Sequence, residues 1–259
     1  MNILVCIKQV PDTKDVKLDP VTNTMAREGV AAIMNPFDRH ALEEAVRIKE
    51  QYGGTVTALS MGPPQAEQVL REAISSGADE GVLVSDRAFA GADTWATSYT
   101  LCMAARSLGE FDLIICGKQA IDGDTAQVGP GLAYRMKIPY VTCVQKISSI
   151  ESGTLTVERM MDDGYDIVRL PTPCLLTVVK NINEPRVPSL KGKMKAKKAE
   201  IRLLSARDID AEERCIGLAG SPTQVVKVFA PQPRGDRTII EGSPEEQVDQ
   251  LLEHIKMYL

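Results

Sequence analysis

The chain has 259 residues, of which 44% are hydrophobic and 25% are charged. This is an ordinary globular composition, and the length allows one large domain or two smaller ones. The formal net charge of -5 argues against broad nucleic-acid binding, because neutralising phosphates requires a net basic surface.

The N-terminus carries no charged segment followed by an apolar one, and no long apolar stretch follows. We therefore expect a cytoplasmic protein without membrane insertion. The six cysteines form no CxxC pair and most lie in apolar runs, so we expect small buried side chains rather than disulfides or metal ligands. The two histidines, His40 and His254, have no partner at metal-ligand spacing. Any demanding chemistry must come from a cofactor.

Short apolar runs alternate with segments of helical periodicity in the first half of the chain. The runs do not alternate apolar with polar residues, which indicates strands buried on both faces of a parallel sheet with crossover helices. The predicted strands are Ile3–Ile7, Val56–Ser60, Gly81–Val84 and Leu113–Cys116. The predicted helices are Asp38–Gln51, Pro64–Ser76, Asp93–Leu108 and Thr125–Met136.

A different pattern begins after Pro139. Four further strands are predicted, and Asp163-Gly164 is typical of a hairpin turn, so we expect antiparallel strands to extend one edge of the sheet. These strands are Tyr140–Ile147, Thr154–Met160, Tyr165–Leu170 and Cys174–Val179. Beyond Lys180 the chain is rich in Pro and Lys, which predicts an extended arm that lies on another molecule. We expect an α/β nucleotide-binding domain over 1–182 and an arm over 183–259 that ends in a helix near Pro244–Lys256.

Ligands of open parallel sheets bind at the carboxyl ends of the strands. In the loop after the fourth predicted strand, Asp122, Gly123, Asp124 and Thr125 are expected to open a helix. Free amides at such a helix start would bind phosphate, and Thr125 and Gln127 would add donors. This loop alone leaves open the alternative that Asp124 only caps the helix.

The usual nucleotide motifs are missing from the sequence. No GxGxxG follows the first strand and no GxxxxGK[ST] occurs, which disfavours an NAD-type Rossmann enzyme and a P-loop NTPase. An ATP-pyrophosphatase ligase would need a Ser/Gly-rich loop where this chain has Gln-Val-Pro-Asp.

Several long motifs resemble the β subunit of electron transfer flavoproteins over almost the whole chain. They read LVCIKQVPD, MNPFDRHALEEAVRIKE, MGPPQAEQVLREAISSGADE, GKQAIDGDTAQVGP and NEPRVPSLKGKMKAKK. The stretch VERMMDDGYDIVRLPTPCLLT is similar to the signature segment of the family and departs from it at Asp166, where the family tends to carry Glu or Gln. The resemblance implies an open, mainly parallel sheet of the adenine-nucleotide α-hydrolase-like kind.

The resemblance also implies a heterodimer with an α subunit and a nucleotide pocket in this chain. In one branch of the family the pocket holds AMP, a structural ligand. In the electron-bifurcating branch it holds FAD, which accepts hydride from NADH. One electron then passes to ferredoxin or flavodoxin, and the other passes through the FAD of the α subunit to an acyl-CoA dehydrogenase or similar partner.

The loop SDRAFAGADT is similar to the flavin-side loop of the bifurcating branch. Its Ala-Gly-Ala backbone would lie flat against an isoalloxazine ring, and Arg87, Thr94 and Thr97 would supply donors. The helix from Asp93 would direct its positive end toward the cofactor. The alternative is a solvated turn in which Asp93 caps that helix. Because Gly123 also leaves room for a diphosphate, FAD is favoured over AMP.

The residues expected to contact the nucleotide follow from these motifs: Cys6, Lys8, Asn35, Pro36, Phe37, Asp38, Met61, Arg87, Ala90, Gly91, Asp93, Thr94, Thr97, Gly117, Gln119, Asp122, Gly123, Asp124, Thr125, Gln127, Val128 and Gly129. No side chain is assigned a catalytic role, and whether the chain is itself an enzyme stays open. A nucleotide-sensing module of the universal-stress type is a further alternative, which the long arm disfavours.

The resemblance marks residues 184–198 as the partner-recognition loop of the family, with Leu190 as an apolar anchor. The expected docking residues are Glu184, Pro185, Arg186, Leu190 and Lys191. An exposed Leu with a basic rim suits docking, because binding hot spots often combine one buried apolar group with charged neighbours. The lysines of this segment could equally form a solvated basic face.

Overall fold

The computed structural model describes residues 1–12, 31–226, 238–256 and 258. Residues 1–12 and 31–226 belong to one compact unit, and 238–256 and 258 belong to a second. The first unit therefore continues past residue 182, where the sequence predicts a boundary, as far as Val226. Residues 227–237 of the predicted arm lie outside the described part. No helix among the described residues combines the length and apolar character needed to cross a bilayer.

A large mixed sheet forms the centre of the first unit. The described strands are β1 (Asn2–Cys6), β2 (Gln9–Pro11), β3 (Ala32–Met34), β4 (Thr55–Met61), β5 (Glu80–Val84), β6 (Leu113–Gly117), β7 (Tyr140–Glu151), β8 (Thr154–Met160), β9 (Tyr165–Pro171), β10 (Cys174–Val178) and β11 (Ile201–Leu204). The sheet order is β11-β5-β4-β1-β6-β10-β7-β8-β9, and β2 pairs separately with β3. Pairing is parallel from β11 to β7 and antiparallel from β7 to β9.

Helices cover both faces of the parallel part of the sheet. The described helices of the first unit are α1 (Pro36–Tyr52), α2 (Glu67–Ser75), α3 (Thr94–Leu108), α4 (Val128–Met136) and α5 (Leu190–Lys198). The second unit contains α6 (Pro244–Lys256). Ile3 and Val5 share a core with residues of α1 and α2, whereas Leu4 and Cys6 share a second core with residues of α3 and α4. Successive side chains of a strand point to opposite faces, so a strand buried on both sides is apolar throughout.

The α/β fold with crossover helices is confirmed, and most predicted elements lie within a few residues of their observed bounds. The hairpin at Asp163-Gly164 is confirmed, because β8 and β9 pair on either side of it. One expectation beyond residue 170 was wrong. The strand at Cys174 was expected in the antiparallel extension, but β10 lies between β6 and β7 and is parallel to both. Within the predicted arm the structure has a strand, β11, which forms a sheet edge beside β5.

Candidate functional site

The carboxyl ends of β1, β4 and β6 open into a cleft of about 920 Å³. In this sheet β1 lies between β4 and β6, and the helix that follows β1 and the helix that precedes β6 pack on opposite faces. The chain therefore changes direction between β1 and β6, which is where open α/β sheets bind ligands. Cys6, Met61 and Gly117, the last residues of these strands, all line the cleft.

The loop between β6 and α4 forms one wall of the cleft. Its predicted role as the start of a helix was wrong: α4 begins at Val128 rather than at Thr125, and Asp124 does not cap it. Asp124 and Ala126 instead have φ values of 53 and 54°, in the left-handed region that few non-glycine residues adopt. The side chain of Gln119 donates a hydrogen bond to the Asp124 carboxylate. The residues between β6 and α4 thus form a loop with a defined non-helical conformation.

Asn35 holds this loop against the start of α1. Its side-chain amide donates to the Gln119 carbonyl at 2.9 Å, and its side-chain oxygen accepts from the Ile121 N–H at 3.2 Å. Asn35 occupies the N-cap position of α1 but makes no side-chain cap hydrogen bond there, because its side chain serves the loop. The asparagine therefore fixes the loop shape from a distant part of the chain.

One of the two acidic residues of the loop, Asp122, forms an ion pair. The Lys8 ammonium contacts the Asp122 carboxylate at 2.7 Å, and Lys8 itself lines the cleft. The pair connects the segment after β1 with the loop after β6. Gly123 is open on its Cβ side, with nothing within 4 Å. The loop therefore has open space beside Gly123, and the Lys8 ammonium lies next to Asp122.

Asp38 is a buried carboxyl in the floor of the cleft. One of its oxygens accepts a hydrogen bond from the Lys8 backbone N–H at 2.8 Å. Burial raises the pKa of Asp38 to about 7, although hydrogen bonds from Lys8, Asn35 and Gly117 act in the opposite direction. Gly117 has to be glycine, because a Cβ there would overlap the other oxygen of Asp38 and the backbone of Phe37.

The loop between β5 and α3 forms the opposite wall. Asp93 accepts hydrogen bonds from the N–H groups of Trp95 at 2.9 Å and Ala96 at 3.0 Å, so Asp93 does cap α3. It also lines the cleft, as do Thr94 and Thr97. Asp93 therefore both caps α3 and lines the cleft, so the two interpretations of this residue are compatible.

Most of the predicted nucleotide contacts come together around this one cleft. Those that line it are Cys6, Lys8, Asn35, Asp38, Met61, Gly91, Asp93, Thr94, Thr97, Gly117, Gln119, Gly123, Asp124, Thr125, Gln127, Val128 and Gly129. The remaining predicted contacts are not part of the described lining: Pro36, Phe37, Arg87, Ala90 and Asp122.

Two of the residues outside the lining have other surroundings. Arg87 is exposed in a short 3-10 turn, and the Phe37 ring lies under the Lys180 ammonium at 4.8 Å. Several lining residues were not predicted, namely Ile7, Leu59, Pro63, Phe89, Ala92, Leu101, Cys116, Lys118, Ala120, Ala126 and Thr223. Most of them adjoin predicted residues in the same loops, but no sequence signal pointed to Thr223.

The predicted docking segment is part of the first unit and contacts α1. The Arg186 guanidinium contacts Glu43 at 2.8 Å and Glu50 at 2.6 Å, both on α1. Burial acts to raise the pKa of Glu43, but hydrogen bonds from Arg186 and Arg47 hold it below its usual value. Leu190, at the start of α5, is 78% exposed, so the expected apolar anchor is available to a partner.

The cysteine side chains are mostly buried. All six cysteines are free thiols, and Cys143 and Cys215 are half-buried while the others are buried. Within the described ranges, no group of three or more His, Cys, Asp or Glu side chains is arranged to hold a metal ion.

Comparison with known proteins identifies the family. The model of the electron transfer flavoprotein domain matches residues 22–209. The chain is 52% identical over 256 residues to the electron transfer flavoprotein subunit beta of Thermoanaerobacterium thermosaccharolyticum, covering 98% of each chain. It is 50% identical to subunit CarD of the caffeyl-CoA reductase-Etf complex of Acetobacterium woodii, covering 96% of this chain and 95% of CarD. It is 47% identical to protein FixA of Azotobacter vinelandii, covering 98% and 92%.

The chain therefore belongs to the electron transfer flavoprotein family. Within the family it is a β subunit, one half of a heterodimer completed by an α subunit. This assignment replaces the alternative of a free-standing nucleotide-sensing module.

Proposed function

We propose that this β subunit holds FAD in the cleft and belongs to the electron-bifurcating branch of the family. In this role the αβ complex takes hydride from NADH. It delivers one electron to ferredoxin or flavodoxin and the other, through the α-subunit FAD, to an acyl-CoA dehydrogenase-type partner. A complex of this kind is expected to work in the cytoplasm.

The observation that carries the proposal is the span of the cleft. It is lined continuously by the loop after β5 and by the loop after β6, and in the sheet β4 and β1 lie between these two strands. Three strand spacings amount to about 14 Å. The cleft volume of about 920 Å³ lies near the upper end of the range of roughly 300–1,000 Å³ for small-molecule sites. A dinucleotide uses this length, whereas a mononucleotide fills only part of it.

The residues of the cleft fit the two ends of FAD. Donors around Gly123–Gly129 and the first amides of α4 suit a diphosphate, because the first four N–H groups of a helix have no partner within it. Phe89, Gly91 and Ala92 offer an apolar surface for a flat ring at the other wall. FAD, when bound, supplies hydride-accepting and one-electron chemistry that the side chains lack. The protein would bind and orient the cofactor and exclude water from it.

A structural AMP is the second candidate, because the polar groups concentrate at one wall. Asn35, Lys8 and the loop after β6 could hold one nucleotide without any contribution from the loop after β5. In that case the chain would serve as a scaffold for the electron carrier and would not react with NADH itself.

The dehydrogenase partner would dock at the segment that carries Leu190. CarD, a relative at 50% identity, is named as part of a caffeyl-CoA reductase complex, which supports an acyl-CoA-type partner for this chain. The exposed Leu190 side chain and the neighbouring Lys191 provide the apolar centre and basic rim of such a surface.

Anaerobic titration of the purified αβ complex with NADH tests the proposal. We expect NADH to bleach the flavin absorption in the absence of any acyl-CoA dehydrogenase. A complex whose flavin is reduced by a reduced dehydrogenase but not by NADH would support the AMP alternative and contradict the proposal.

A further inference from the structure

A segment near the end of the first unit closes the β5 side of the cleft. We call residues 216–223 the strap. The strap approaches the loop after β5 closely: a Cβ on Gly217, whose φ is +53°, would overlap the Ala88 carbonyl oxygen, and a Cβ on Gly91 would lie 3.3 Å from the Leu218 Cβ. Thr223, the last residue of the strap, lines the cleft.

Asp93 joins the strap to the loop. One carboxylate oxygen caps α3, and the other accepts hydrogen bonds from the Thr223 N–H at 3.0 Å and hydroxyl at 2.8 Å. The Asp93 N–H also donates to the Ser221 hydroxyl oxygen at 2.8 Å. Burial acts to raise the pKa of Asp93, but hydrogen bonds from Ala96 and Thr223 hold it below its ordinary value. The carboxylate is therefore charged at neutral pH and keeps all its donors.

We propose that the strap is part of the cofactor site, with Thr223 as a binding residue for the flavin end of the dinucleotide and Asp93 as the residue that positions it. The inference rests on the proposed FAD site and adds the element that completes it. Because the hydroxyl proton of Thr223 is directed to Asp93, the hydroxyl lone pairs are left to accept from the N–H or ribityl O–H groups of a flavin.

The position of the strap makes its effect specific for a dinucleotide. The strap is bound to the loop that follows β5, whereas the phosphate-binding donors belong to the loop that follows β6, with β4 and β1 between them. A mononucleotide held at the loop after β6 does not need the strap. Loss of the strap contacts should therefore weaken FAD binding and leave AMP binding unchanged.

Two substitutions separate this role from the capping role of Asp93. Asp93→Asn retains a good cap for α3, since Asn and Asp are equivalent there. With its one side-chain oxygen at the cap, however, the Asn presents an NH2 group to Thr223, which can accept neither of the two Thr223 donors. Thr223→Val removes only the hydroxyl. Asp86→Asn is the matched control, because Asp86 caps the preceding 3-10 turn and accepts from the Ala206 N–H at 3.2 Å without being part of the described cleft lining.

The test uses the αβ complex with its α-subunit FAD in place and the β-subunit nucleotide washed out. FAD and AMP are titrated separately by calorimetry. We expect Asp93→Asn to weaken FAD binding about tenfold and Thr223→Val to weaken it about threefold, in line with the net loss of about one ordinary hydrogen bond between the strap and the flavin. AMP affinity and the Asp86→Asn control should match the wild type. Hydrogen exchange should show residues 221–226 protected by FAD but not by AMP, and less protected in Asp93→Asn.

Three outcomes would overturn the inference. If the wild type takes up a second FAD and both variants bind it as tightly, the strap plays no part in the site although the proposed function stands. If Asp93→Asn weakens FAD and AMP equally, Asp93 only maintains the fold. If the wild type takes up AMP but no second FAD, the proposed function fails, and the strap role fails with it.

Discussion

Asp38 should make the stability of this subunit fall as the pH rises toward neutrality. In the unfolded chain this carboxyl titrates near its ordinary pKa of 3.8, and in the folded chain burial raises the pKa to about 7. Between these values the folded state binds the proton more tightly, so the free energy of unfolding decreases as the pH rises. Below about pH 4 both states are protonated, and above about pH 7 both are ionised, so the effect is confined to that window.

The expected magnitude follows from the two pKa values. Their difference of about three pH units, at about 1.4 kcal/mol for each, corresponds to about 4 kcal/mol as an upper value. Asp38→Asn cannot ionise and should lack this fall. The variant should therefore gain stability relative to the wild type from about pH 4 to pH 7, and the gain should then remain constant.

Urea unfolding of the nucleotide-free αβ complex, followed by circular dichroism at a series of pH values and fixed concentration, would measure this difference. Subtracting the wild-type curve from the variant curve cancels the other titrating groups. Asp166→Asn, which changes an exposed carboxyl on β9, serves as the control. A difference between Asp38→Asn and wild type that is the same at about pH 5 and pH 8 would refute the reasoning.

Three further predictions concern electron transfer and the cofactor. Leu190→Ala should slow electron delivery to the dehydrogenase severalfold. NADH oxidation by a small artificial acceptor should stay intact, because the exposed Leu190 side chain lies outside the cleft. Equal loss of activity in both assays would contradict a docking role. Arg87 lies outside the described lining, but the short turn that it begins ends at the lining residue Phe89. If the guanidinium reaches the bound flavin, it stabilises negative charge on the reduced form, and Arg87→Ala should lower the reduction potential of the β-subunit flavin, measured by equilibration with a reference dye. An unchanged potential would exclude this role. Trp95, the single Trp of the chain, is 50% exposed and follows the cleft residue Thr94. FAD uptake should therefore quench the Trp95 emission, which is isolated by subtracting the spectrum of the Trp95→Phe complex from that of the wild type. The same Trp95 emission with and without FAD would place the flavin elsewhere.

The parallel half of the fold could be predicted because its strands are buried on both faces. Ile3–Ile7 and Leu113–Cys116 are apolar without interruption, and such runs have few other structural solutions in a chain of this length. The helix Pro244–Lys256 could also be predicted, from its acidic start and basic end.

The details that were missed depend on contacts between distant residues. The sequence around Asp124 reads like a helix start, but the Asn35 side chain and Gln119 stabilise a loop with positive φ at Asp124 and Ala126. Local propensity contains no information about that contact. The position of β10 between β6 and β7 likewise depends on which strands pair with it. The pattern of apolar and polar residues and the turn residues predict strands but do not specify their partners.

The candidate site shows the same division. Residues in loops that leave the strands were predictable from topology, since the carboxyl ends of parallel strands share one edge. Thr223 was not, because it reaches the cleft from a segment 130 residues beyond Asp93 along the chain, and only the folded structure reveals the hydrogen bonds that hold it there.

Counting the nucleotides released when the purified αβ complex is denatured tests the central claim most directly. The account predicts two FAD per heterodimer, one from each subunit, and no AMP. One FAD together with one AMP per heterodimer would contradict it and would leave this chain the role of a scaffold.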